Sequence, residues 1–251
     1  MRLRGLELFR VAQAVFLFQE VFMEFLPGGY TLVLSPDAFP LSTDSIALAG
    51  FARLGRAARV LDLGSGCGTL GLLLCSTHAD CHVTGIELQP EAHAAALENI
   101  RRNGLNQRME SICADLRDVS LTPGSFSCCI SNPPYFSGGP SGSLPQARHE
   151  GCCTLRELFA AADRALKFGG DFFLVHKPER LAELCARGAE FRLEPKRLCL
   201  LRHRPESEIS LILLQCRKGA RPGLSWEQWC LFDAQGNPTE QYRKLYHIQH
   251  I

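Results

Sequence analysis

Between Arg59 and Lys177, short apolar runs alternate with stretches whose apolar residues recur every three to four positions. This is the rhythm of parallel strands joined by crossover helices. The runs predict strands at Arg59 to Leu63, His82 to Glu87, Met109 to Ala114, Ser127 to Ser131 and Asp171 to His176. Strands this apolar imply a sheet covered on both faces. Pro90 to Arg102 reads as a helix: proline takes its first position, Ala92, Ala95, Ala96 and Ile100 share one face, and Glu98 and Arg102 can pair on another. A second helix is expected from Thr154, whose hydroxyl forms a capping box with Glu157, and Gly169-Gly170 is expected to stop it. Glu179 to Ala189 reads as helix, and Arg197 to Arg202 with Ile209 to Cys216 as a closing hairpin. Upstream, Ser42-Thr43-Asp44 caps a helix that begins with Ile46-Ala47-Leu48-Ala49.

No internal repeat, low-complexity tract or long linker interrupts this pattern, so one main domain is expected over residues 36–218. Residues 1–35 read as an N-terminal extension, and 219–251 as an appendage on the same domain with a turn at Gly236-Asn237-Pro238. The apolar residues between Leu6 and Leu26 are interrupted by Glu7, Arg10, Glu20 and Glu24. That excludes a convincing spanning helix or signal peptide and leaves an amphipathic helix or an extended start.

At 251 residues, 46% hydrophobic and 21% charged, the chain can bury one substantial core. Its formal net charge of +1 supplies no global field for a polyanion, so any nucleic-acid contact must come from local patches. Lys196 to Arg204 contains no acid and is one such patch, with Lys196 and Arg197 as candidate substrate contacts; the alternative is a strand with solvated basic ends. The twelve cysteines lie mostly in apolar runs, which fits small buried hydrophobes in a reducing cytoplasm. Cys75, His78, Cys81 and His82 have a spacing that could gather around zinc, but they fall where a helix ends and a buried strand begins, so packing is expected and no metal.

Two segments carry candidate chemistry. After the first predicted strand comes Gly64-Ser65-Gly66-Cys67-Gly68, where absent side chains let backbone approach a nucleoside ligand. The pattern is Gly-x-Gly-x-Gly, not the Gly-x-Gly-x-x-Gly of dinucleotide sites, and Asp62 leads it. A carboxylate there suits an ammonium group and would repel a pyrophosphate. Glu87, ending the next strand, is placed to accept from ribose hydroxyls, and Asp115 from an adenine amino group. Asp44 is either a first-turn acid or a cofactor contact.

The second segment is Asn132-Pro133-Pro134-Tyr135. The Asn132 side-chain oxygen and the Pro133 carbonyl can accept both hydrogens of a planar amino group, and Tyr135 can stack on the ring that bears it. Phe136 to Pro145 reads as a lid, and Arg148, His149 and Glu150 follow as substrate contacts or a lid-locking ion pair.

Leu61 to Gly68, Glu87, Asp115 and Asn132-Pro133-Pro134-Tyr135 resemble the class I S-adenosylmethionine-dependent methyltransferases that act on planar amino groups. Within them, Pro36 to Asp44, Ala147-Arg148-His149-Glu150 and Lys177-Pro178-Glu179-Arg180-Leu181 resemble the bacterial valine-tRNA adenine-N6 methyltransferases, which modify adenine 37 beside the anticodon. The likeness runs from about Gly29 almost to the C-terminus; Ser45 stands where a small apolar residue is more usual. The resemblance implies a Rossmann-like α/β fold with a seven-stranded, mostly parallel sheet, its last hairpin partly antiparallel, and helices on both faces. It also implies S-adenosylmethionine as cofactor and the anticodon arm of transfer RNA as partner, with no membrane. Rival readings are a protein glutamine N5-methyltransferase of the release-factor type, another nucleic-acid amino-group methyltransferase, and a scaffold without turnover.

Overall fold

Among the described residues eight strands hydrogen-bond into one sheet, and the alternation of side chains along them sends two separate cores to its two faces. The computed structural model describes residues 23–34, 41–134 and 153–247. A hairpin of β1 (Met23–Phe25) and β2 (Thr31–Val33) precedes α1 (Thr43–Phe51). Then follow β3 (Arg59–Leu63), α2 (Thr69–Thr77), β4 (His82–Glu87), α3 (Pro90–Arg102), β5 (Met109–Cys113) and β6 (Phe126–Ser131). The second half contains α4 (Leu155–Ala165), β7 (Leu166–His176), a 3-10 turn at Pro178–Arg180, α5 (Leu181–Glu190), β8 (Leu193–Arg202), β9 (Ile209–Lys218), β10 (Ser225–Cys230) and α6 (Glu240–Leu245).

The strand order is β10-β8-β9-β7-β6-β3-β4-β5, with β9 alone running antiparallel to its neighbours. Along β7, Phe172 and Leu174 face the core under α4 and α5, while Phe173 and Val175 face the core under α1 and α2. The order reverses between β3 and β6, where both strands lead out at the same edge, and in open α/β sheets ligands bind at such a switch point.

Three expectations are corrected. The sheet has eight strands, not seven, because Ser225–Cys230 pairs parallel to β8. This edge strand is exposed along much of its length, so it lacks the apolar signature of the inner strands. The glycine pair does not end α4. The helix stops at Ala165, Leu166 turns to extended backbone, and the pair lies inside β7. There Phe126 pairs with Leu166 and Cys128 with Asp171, so Lys167 to Gly170 bulge out of the ladder. Gly169 has φ +75°, and a side chain on Gly170 would crowd the Lys167 and Ser127 carbonyls. Third, Glu179 belongs to a 3-10 turn, and the helix proper starts at Leu181.

Other expectations hold: Thr154 and Glu157 form the capping box, Ser42 caps α1, and Glu98 pairs with Arg102 at 2.5 Å. Cys75 and Cys81 are buried with sulfurs 3.9 Å apart, and the His78 ring bonds the Thr77 hydroxyl. Among the described residues no three His, Cys, Asp or Glu side chains are grouped to hold a metal ion, and no helix is long and apolar enough to cross a membrane.

Candidate active site

The glycine turn leaves β3 by hooking over the next strand: the amides of Gly64 and Ser65 both donate to the Ile86 carbonyl at 3.0 Å. Gly64, Gly66 and Gly68 have φ of +74°, +54° and +84°, a region costly for other residues. A side chain on Gly64 or Gly66 would meet no atom within 4 Å, so these two face open space, whereas one on Gly68 would strike Met109. The loop thus shows bare backbone to a ligand on one side and packs tightly on the other.

Glu87 closes the loop from β4. One carboxylate oxygen accepts from Gly66 N and the other from Gln89 N, each at 2.8 Å. A carboxylate has about four acceptor positions, so two remain. Asp62 is completely buried, and neither of its oxygens has a hydrogen-bond partner among the described residues. Burial, reinforced by the charge of Glu87, pushes its carboxyl up to about 8. A buried acid left this way favours an incoming cation, which would satisfy the oxygens and restore the charge. Asp115 follows β5, beside Glu87 through the bond from Ala114 N to the Glu87 carbonyl. Its oxygens are held by Arg117, which keeps it below the usual carboxylate range, so a ligand amino group there would share them with the guanidinium.

Ser131 fixes the end of β6 against β3, its hydroxyl donating to the Leu63 carbonyl at 2.7 Å. This sets Asn132 and the buried Pro133 beside the glycine turn. The Asn132 amide donates through Nδ2 to Ser45 Oγ at 3.0 Å, which joins it to the first turn of α1, where Asp44 also lies. Asp44, Asp62, Glu87 and Asp115 thus lie along one sheet edge with Asn132 and Pro133. This set of acids suits a ligand bearing positive charge, whose arrival would favour the ionised form of Asp62. Tyr135, Arg148, His149 and the expected lid lie outside the described residues.

Lys196 and Arg197 are not brought to this edge. Both lie near the start of β8, whose far end points toward the site. Lys196 donates to the Arg221 carbonyl. Arg197 sits 4.2 Å over the Phe51 ring, bonds the Phe51 carbonyl and Gln215, and pairs with Glu227 at 2.9 Å. It braces α1 and β10 against β8.

Two polar residues near the site escaped the sequence reading. Asn99, fully buried on α3, accepts from Val33 N and donates to the carbonyls of Val33 and of Cys67 in the glycine turn. Its signal was present, since it interrupts the alanine stripe of that helix at helical spacing. His176, at the end of β7 next to β6, accepts from Lys177 N, and burial lowers it to about 4, so it is neutral near pH 7. No local pattern distinguishes it.

Comparison with known proteins identifies the family and the fold. A family model described as "Methyltransferase small domain" matches residues 45–184. The chain is similar to the tRNA1(Val) (adenine(37)-N6)-methyltransferase of Aeromonas hydrophila, with 33% identity over 83% of this chain and 89% of that one. The protein of the same name from Porphyromonas gingivalis is 30% identical over 72% of this chain and 75% of its own. Among solved structures, a predicted O-methyltransferase from Agrobacterium tumefaciens aligns with a TM-score of 0.68 at 22% identity, covering 82% of this chain and 96% of that one. The geranyl diphosphate C-methyltransferase of Streptomyces coelicolor aligns at 0.51 and 14% identity, over 68% and 78%. These likenesses show the fold.

Proposed function

The chain belongs to the methyltransferase small domain family and, within it, to the tRNA1(Val) (adenine(37)-N6)-methyltransferases, and from that premise we propose how its site works. It is an S-adenosylmethionine-dependent enzyme that methylates N6 of adenine in transfer RNA, adenine 37 of a valine tRNA being the target that its relatives' name specifies. The partner surface is the anticodon arm, and a tRNA substrate puts the site of action in the cytoplasm.

The residues present fit the cofactor. Asp62, whose two buried oxygens have no partner among the described residues, suits its ammonium; Gly64 and Gly66 leave room for close backbone approach; Glu87 keeps acceptor positions for ribose hydroxyls. Gly68 orients the turn, Asp115 takes the adenine edge and Asp44 the methionine end. When bound, S-adenosylmethionine supplies an electrophilic methyl carbon. The protein's own task is then to hold the nucleophile in line and keep water out.

The adenine amino nitrogen is planar because its lone pair is delocalised into the ring. Asn132 Oδ1 and the Pro133 carbonyl accept its two hydrogens, which holds the nitrogen in place and favours the positive charge that grows on it during transfer. Tyr135 stacks on the flipped base. Arg148 and His149 meet the RNA next to it. The supporting observation is the placement of Asn132-Pro133 at the topological switch point, just after Ser131, whose hydroxyl ties the end of β6 to β3, the strand that carries Asp62 and leads into the glycine turn.

The test is transfer of a labelled methyl group to unmodified bacterial tRNA followed by mass analysis of nucleosides. N6-methyladenosine at position 37 of a valine tRNA is expected. Label entering a release-factor glutamine, with none in RNA, would reverse the substrate reading.

A further inference from the structure

We infer that Ser45 is a positioning residue for methyl transfer, because its hydroxyl accepts from the Asn132 amide and so anchors that amide with its oxygen end free for the substrate. This rests on the proposed role of Asn132. An asparagine amide has an acceptor end and a donor end, and only the acceptor end helps an amino nucleophile; rotated half a turn, it would present N–H groups to N–H groups. At the strand end Asn132 is only half-buried, and the described residues supply one side-chain partner for its Nδ2: Ser45 Oγ, at 3.0 Å. With Nδ2 committed there, Oδ1 is the atom available to accept.

Ser45 is itself held firmly, which makes the arrangement more than a chance contact. It is 8% exposed and occupies the first turn of α1, and its amide points to the capping hydroxyl of Ser42 at 3.5 Å. The same helix is fixed at its other end by Arg197, which bonds the Phe51 carbonyl and covers the Phe51 ring, and near its start by the Thr43–Tyr246 hydroxyl pair at 3.4 Å. A rigid helix placed by contacts from β8 and the C-terminal segment therefore carries the hydroxyl that anchors the amide just past the end of β6. A flexible partner would leave the amide free to rotate, and part of each turnover would be spent in the unproductive orientation.

The experiment compares wild type with Ser45→Ala, Ser45→Thr, Asn132→Ala and the Ser45→Ala/Asn132→Ala double variant, using unmodified tRNA and S-adenosylmethionine at saturation. Ser45→Ala is expected to lower kcat about 3- to 10-fold, the weight of one ordinary hydrogen bond. KM for tRNA and Kd for S-adenosylmethionine should stay within about 2-fold, as expected of an orienting role. Ser45→Thr, which keeps the hydroxyl, should restore most of kcat. In the Asn132→Ala background, Ser45→Ala should add nothing. A further loss there, or a weakened S-adenosylmethionine Kd with kcat intact, would overturn the inference and assign Ser45 to packing or to the cofactor pocket. Near-normal kcat in Asn132→Ala would instead sink the reading of Asn132 itself. Independently of activity, the side-chain NH2 signals of Asn132 in a nitrogen–proton correlation spectrum, identified by their loss in Asn132→Ala, should move in Ser45→Ala and return toward wild type in Ser45→Thr. Signals unmoved by Ser45→Ala would refute the hydrogen bond.

Discussion

Replacing Asp62 with asparagine separates what the fold requires at that position from what the ligand requires. In the ligand-free protein the carboxyl is completely buried without a hydrogen-bond partner among the described residues, and burial together with Glu87 raises it from 3.8 to about 8. Below about pH 4 it is neutral in both folded and unfolded chains, and ionisation costs the fold nothing. As pH rises from there, the unfolded chain ionises while the folded one does not, so stability falls by up to about 1.4 kcal/mol per pH unit until about pH 8, above which the penalty is constant. Between about pH 5 and about pH 8 the upper bound is therefore about 4 kcal/mol, which relaxation and water entry will reduce. Asparagine has nearly the same shape and never ionises. Urea unfolding of the ligand-free proteins at the two pH values should show wild type losing at least about 1 kcal/mol more than Asp62→Asn. Added S-adenosylmethionine should narrow that gap, and the variant should bind it about 10-fold more weakly. Identical pH dependence in the two proteins would refute the reasoning, because it would mean the carboxyl ionises normally inside the fold.

Two further outcomes follow from the polar struts. Asn99→Ala leaves the backbone groups of Val33 and Cys67 without their partners, so unfolding should become easier by about 2 to 4 kcal/mol and S-adenosylmethionine affinity should fall with it; thermal melting and titration calorimetry measure both. Arg197→Gln should lower stability by about 1 to 2 kcal/mol through the lost Phe51 and Glu227 contacts while KM for tRNA stays within about 2-fold, and a large rise in KM with no change in melting would return Arg197 to the RNA interface.

What the amino-acid order determined by itself is local. The bounds of β3, β4 and α3, the capping box at Thr154 and the glycine turn are all written in contiguous residues, because hydrophobic periodicity, proline at a helix start and a reciprocal cap act over one or two turns of chain. The placement of the candidate site residues was legible for a related reason: Asp62, Gly64, Glu87 and Asn132 each lie within one residue of a strand's C-terminal end, and in a parallel sheet such ends converge at one edge. Only the tertiary structure decided the rest. Gly169-Gly170 looks like a helix stop until β6 is placed beside it, when Lys167 to Gly170 become a bulge. Arg197 looks like a free cation until Phe51, 146 residues away in sequence, comes under it. Asn132 acquires its orientation from Ser45, 87 positions earlier. Such pairings depend on which surfaces the packed helices bring within hydrogen-bonding distance, and a short window of sequence has no means of encoding which remote group will fill that place.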